Sequence, residues 1–157
     1  MSPPTYEEIL SCQTVLFEWA ESYDSKDWQR LKACLAPTLA VDYSAFIDKK
    51  WDALPADEFV GMVSSTHFLG NPTIRTQHLI GLGTWDKTSA DIIVAHLQLR
   101  VAHQKYTDET LGTVQLTAND HGTGVLTLKC IQGQWRFAGL VPRSRWSTGD
   151  MSKVFGP

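Results

Sequence analysis

The chain has 157 residues, 43% hydrophobic and 20% charged, with a formal net charge of −3. These proportions fit a single soluble domain over residues 1–157 with a sizeable core. The lack of a basic cluster excludes nucleic acid or an anionic membrane as the main partner. No apolar run approaches the ~20 residues that cross a bilayer. The opening Met1-Ser2-Pro3-Pro4 lacks the basic-then-apolar design of a secretory signal. Cys12, Cys34 and Cys130 form no C-x-x-C pair, so three reduced, buried thiols in a cytoplasmic setting are expected.

Thr5-Tyr6-Glu7-Glu8 has the spacing of a capping box and opens the first helix. Ile9, Cys12, Leu16, Trp19, Ala20 and Tyr23 then recur at three- and four-residue steps, an apolar stripe that Tyr23 closes. Asp27 to Leu35 reads as a short second helix stopped near Pro37. Leu39, Val41 and Tyr43 share one face of a short strand. Pro55 to Val63 reads as a third helix with Phe59, Met62 and Val63 inward. From Arg75 onward the period changes to two. Thr76, His78 and Ile80 share one face, and Leu97, Leu99, Val101 and His103 share another. Leu111 to Ala118 and Gly124 to Cys130 read as two further strands, separated by a turn at Gly122-Thr123-Gly124. Gln132-Gly133 then turns the chain into a last strand. Helices followed by a meander of strands imply an α+β domain, with the helices packed in a curved, mostly antiparallel sheet. Such a sheet leaves a conical pocket at one end, suited to a small apolar ligand.

The polar residues on inward faces are Tyr23, Tyr43, His78 and His103, with Asp24 beside the first. Taken singly, an inward histidine is a core residue with one hydrogen bond, and a tyrosine a core ring with its hydroxyl at the rim. Asp24 equally fits a cap of the second helix, as do Ser25 and Asp27. Together they need partners, which a shared pocket supplies most simply. Two phenols, a carboxylate and two imidazoles can remove a proton beside a carbonyl and protonate a leaving hydroxyl. No H-x-H or H-E-x-x-H spacing points to a metal, and none is expected.

Four stretches carry a wider likeness: Trp19-Ala20-Glu21-Ser22-Tyr23-Asp24-Ser25-Lys26-Asp27-Trp28, Glu58-Phe59-Val60-Gly61-Met62-Val63-Ser64-Ser65, Arg75-Thr76-Gln77-His78, and Trp135-Arg136-Phe137-Ala138-Gly139-Leu140. In these the chain resembles the fungal scytalone dehydratases of melanin-type polyketide pathways. The resemblance implies an NTF2-like, cone-shaped α+β barrel, commonly a homotrimer, acting on a small aromatic polyketide without metal or cofactor. It implies that Tyr23 and Tyr43 hold a water against the substrate ketone and that His78 removes the α-proton. It pairs His103 with Asp24 to deliver a proton to the departing hydroxyl. Phe46, Met62 and Phe155 match the apolar pocket wall, and Met151 stands in the closing C-terminal segment. Phe68 and Val101 complete the expected substrate contacts. Gly122 and Gly124 fall where the family carries a serine and an asparagine, so a larger cavity is expected there. That departure leaves two other readings open: a tailoring isomerase, cyclase or decarboxylase for a larger substrate, and a non-catalytic ligand carrier.

Overall fold

The computed structural model describes residues 2–156. Helix α1 (Tyr6–Ser25) begins at a complete capping box: the Glu8 amide donates to Thr5 Oγ1 at 3.2 Å, and the Thr5 amide to Glu8 Oε2 at 2.9 Å. It buries Cys12, Leu16, Trp19, Ala20, Ser22 and Tyr23, the expected stripe apart from half-buried Ile9. Its end is set by Lys26, in the left-handed region at φ 57°, whose amide turns back to the Ser22 and Tyr23 carbonyls. Asp27 caps α2 (Trp28–Cys34) by accepting from the Arg30 amide. Asp24 is thereby left without a capping duty, which settles the alternative open in the sequence.

The sheet has the order β2-β1-β6-β5-β4-β3. Its strands are β1 (Leu35–Asp42), β2 (Lys50–Pro55), β3 (Ile74–Ser89), β4 (Ile92–Tyr106), β5 (Val114–Ile131) and β6 (Gln134–Thr148). Only β1 with β6 is parallel; the other pairs are antiparallel. α3 (Ala56–Val63) sits between β2 and β3 in the chain and buries Phe59 and Val63 completely. The main core joins one face of α1 to the inner faces of the strands through Leu16, Trp19, Ile93, Leu97, Leu126 and Phe137. Bulges in β3, β5 and β6 increase local twist and curl the sheet round α1. The sheet stays open, with β2 and β3 as its edges. This is the NTF2-like α+β architecture expected.

Two local expectations fail, and one strand was not foreseen. Leu35 to Pro37 belong to β1 rather than to the end of a helix, because Leu35 pairs with Phe137 on the neighbouring β6. β2 carries too weak an alternation to be read from sequence, since only Leu54 of its six residues is fully buried. The two strands at 111–118 and 124–130 are one strand, β5, and 122–124 is no turn. Glycine there marks close contact with other chain segments, which sequence does not distinguish from a turn. The hairpin at Gln132-Gly133 is as expected, both residues taking positive φ (51° and 78°). All three thiols are free, but Cys130 is only half-buried.

Candidate active site

Asp24 stitches the last turn of α1 to β3. Its Oδ1 lies 2.7 Å from His78 Nδ1 and accepts from Thr76 Oγ1 at 2.8 Å, while Oδ2 accepts from the His78 amide at 2.8 Å. The expected partner of Asp24 was His103; the carboxylate instead belongs to His78. Residues that follow one another along β3 enclose Asp24, and His103 lies one strand further away. An ionised carboxylate only accepts, so His78 Nδ1 carries the hydrogen and Nε2 keeps its lone pair. The direction of the ring is fixed by the carboxylate behind it.

Tyr23, the residue before Asp24, sets its ring edge-on to His78 at 5.2 Å and to Trp19 at 5.2 Å. Its hydroxyl is buried and has no partner among the described residues, nor has Trp19 Nε1. Burial pushes the Tyr23 phenol well above the ordinary range, and nearby Tyr43 adds to the rise. Tyr43, at the end of β1, is pushed up to about 12 by burial, with Tyr23 opposing. Each phenol thus feels the other, and both remain O–H donors at neutral pH. Trp19 and Thr76 were not among the expected site residues. The signal for Thr76 was its parity with His78; for Trp19 it was a polar nitrogen on a fully apolar stripe.

His103 is joined to this group through the sheet. His78 pairs with Val101 across β3–β4, and Thr76 with His103. Residues directly opposite share a face, so both imidazoles are on one surface as diagonal neighbours, with Val101 beside them. His103 is 5% exposed, and its Nδ1 has no partner among the described residues. Burial chiefly, and then the neighbouring His78, lower its pKa to about 4; the Ala118 backbone, Asp120 and Asp24 partly oppose this. The folded state therefore binds fewer protons than the unfolded chain between about pH 4 and the ordinary histidine value of about 6.5. Stability from this residue is complete above that window and is lost as pH falls through it, by about 3 kcal/mol in total. Urea melts across that range, wild type against His103→Asn, should show the slope reduced in the variant.

Phe155 closes this end. Its ring stands 5.6 Å from His103 and 4.8 Å from Phe68. Met151 opens a 3-10 turn (Met151–Lys153) and packs with Ile74, Ala118 and fully buried Val154. Lys105 Nζ holds the segment by donating to the carbonyls of Lys153 (3.3 Å) and Gly156 (2.8 Å). Met62 and Phe68 are half-buried against the core. Phe46 is not part of the wall: it sits in the turn after Tyr43 and is 50% exposed. Gly122 and Gly124 open no extra space. A β-carbon at 122 would stand 1.9 Å from the Arg143 carbonyl oxygen, and one at 124 would stand 2.4 Å from Leu99 Cδ1. A groove of about 630 Å³ between α1 and β3 reaches Asp24 and His78, but not Tyr23, Tyr43 or His103. Among the described residues no cluster of three or more His, Cys, Asp or Glu could hold a metal, and no helix is long and apolar enough to cross a membrane.

The chain is similar to known proteins over nearly its whole length. A scytalone dehydratase-like protein of Passalora fulva is 54% identical over 152 residues, covering 97% of this chain and 94% of its own length. The scytalone dehydratase of Pyricularia oryzae is 49% identical over 151 residues, covering 96% and 88%. The structure of a putative scytalone dehydratase from Novosphingobium aromaticivorans superposes with a TM-score of 0.73 at 19% identity, over 91% of this chain and 87% of that one, which speaks for the fold alone. The family model for scytalone dehydratase matches residues 4–157, and with a histidine–aspartate pair and two phenols gathered at one end of an NTF2-like sheet, this chain belongs to the scytalone dehydratase family.

Proposed function

We propose that the chain is a dehydratase that removes water from a hydroxylated, ketone-bearing aromatic polyketide intermediate, without metal or cofactor. The observation that carries this is the 2.7 Å contact between Asp24 and His78 Nδ1, which leaves Nε2 free as a base. The Tyr23 hydroxyl nearby is buried and unpartnered among the described residues. Removing a proton beside a ketone builds charge on its oxygen, and donors already aimed there raise the rate by a factor of about 10²–10³ each. Tyr23 and Tyr43 supply those donors, directly or through one water. His78 Nε2 takes the α-proton and the C–H electron pair becomes the enolate. That pair then forms the new double bond as the β-hydroxyl leaves.

The departing hydroxyl needs one proton to become water. A His103 with a pKa of about 4 is neutral at pH 7, so it serves here as a hydrogen-bonding group for that hydroxyl. The proton on His78 is the one at hand, and its transfer closes the balance: one C–H and one C–O bond break, and one water forms. This modifies the acid role that the family likeness gives His103. The larger-substrate reading loses its main support, because the space at 122 and 124 is filled by β6 backbone and Leu99. A pure carrier has no use for a carboxylate-oriented imidazole.

The test is direct. Purified protein incubated with a β-hydroxytetralone should yield the corresponding naphthol, followed by its absorbance. No rate above the uncatalysed background would remove the proposal. A homotrimer and a cytoplasmic setting belong to the same reading, and sedimentation of the purified chain tests the first.

A further inference from the structure

Glycine at 122 is what lets β6 come so close to β5. At that point the register slips: His121 pairs with Trp146 and Gly122 with Ser144, which leaves Arg145 as the extra residue of a bulge. The slip brings two hydroxyls to one acceptor. Ser144 Oγ and Ser147 Oγ both donate to Oδ1 of Asp120. Both bonds fall on the same oxygen, so Oδ2 has no protein donor among the described residues.

Asp120 pairs with Val101 across β4–β5, and Ala118 with His103. The carboxylate therefore shares the inner face with Val101 and His103, a diagonal neighbour of the imidazole at about 7–8 Å. On that face of β5 its own neighbours are Ala118 and Gly122, too small to cover it. The other titratable or charged groups on this side are His78 from β3, Asp24 from α1 and Lys105 from β4, and each is engaged as described above or faces His103. Asp24 is saturated by Thr76 and His78. On this face Asp120 combines a carboxylate braced by two hydroxyls with an oxygen that has no protein donor among the described residues. Its charge is felt at His103.

We infer that Asp120, braced by Ser144 and Ser147, is a specificity-determining residue that accepts a hydrogen bond from a ring hydroxyl of the substrate. A carboxylate oxygen can only accept, so the group it selects must donate; a methoxy or second carboxylate in that place leaves a mismatch. The substrate class, an oxygenated aromatic of two or more rings, is taken from the dehydratase reading. What is new is the demand for a free hydroxyl on the ring edge facing β5, met by a side chain on the same stretch of strand that lacks the family's serine and asparagine.

The test is a binding ratio that needs no turnover. A dihydroxynaphthalene and its monomethyl ether are titrated against the protein by quenching of tryptophan fluorescence. Wild type should bind the free diol about 10- to 100-fold more tightly, the range of a hydrogen bond to a charged group. Asp120→Asn and Asp120→Ala should bring the ratio within about threefold, Asp120→Glu should restore part of it, and the Ser144→Ala, Ser147→Ala double variant should fall between. An unchanged ratio in Asp120→Asn overturns the inference, and so does an equal loss for both ligands, which marks a merely structural role. Turnover of the β-hydroxytetralone is measured alongside. If turnover persists with an unchanged ratio, Asp120 alone is misassigned. If neither naphthol binds and none forms, the dehydratase reading falls and this inference with it.

Discussion

Replacing His78 by asparagine lowers kcat by about 10³-fold or more, the upper part of the range for a general base, with the fold intact. Asparagine keeps an amide that can still donate to Asp24 but has no basic nitrogen to face the substrate. Asp24→Asn tests the same arrangement from behind. An amide there can offer a hydrogen to Nδ1 instead of accepting one, and this favours the tautomer whose Nε2 carries the proton. The loss should be about 10²-fold or more, with KM little changed. His103→Asn should cost less, about 10- to 100-fold, because it removes a contact to the departing hydroxyl and not the group that carries the proton. The ordering His78 > His103 is the decisive outcome, read from steady-state kinetics on the β-hydroxytetralone. An equal or greater loss at His103 would return the acid role to it and refute the single-base scheme.

Restoring the family's side chains, Gly122→Ser together with Gly124→Asn, unfolds or severely destabilises the protein instead of improving it. A β-carbon at 122 meets backbone, the Arg143 carbonyl oxygen at 1.9 Å, and backbone cannot rotate away as a side chain can. At 124 the obstacle is Leu99 Cδ1 at 2.4 Å, a flexible end that can move at some cost. Overpacking costs about 1–3 kcal/mol where a side chain gives way, and more where the strand itself must shift. Gly122→Ser should therefore account for most of the loss, seen as a fall in the urea midpoint, and Gly124→Asn for the smaller share. If Gly122→Ser proves neutral, β6 relaxes at the bulge without penalty. The brace on Asp120 would then have to be re-examined in that variant.

What could be read in advance depended on how local each cause is. The capping box at Thr5, the stripe to Tyr23 and the alternation from Thr76 to His103 were legible because helix and strand periods are properties of neighbouring residues. The parity of His78 and His103 was enough to put both on the inner face. The partner of Asp24 was not legible. Asp24 and Ser25 both precede a possible second helix start, and only the capping of α2 by Asp27 frees Asp24 for β3. Phe46 was misread because a turn after Tyr43 exposes it. Gly122 was misread because a glycine in a strand and a glycine in a turn look alike until the neighbouring strand is known.

The sequence by itself determined most of the elements, the inward faces of the long ones and the inventory of reactive groups, since each of these follows from spacing along the chain. Tertiary structure alone decided which carboxylate serves which imidazole, what fills the space beside the glycines, and that Asp120 keeps one oxygen free. Those outcomes depend on the register between strands and on the approach of β6 to β5. Register is fixed by contacts between residues distant in the chain, and a shift of one residue exchanges every side chain between the two faces.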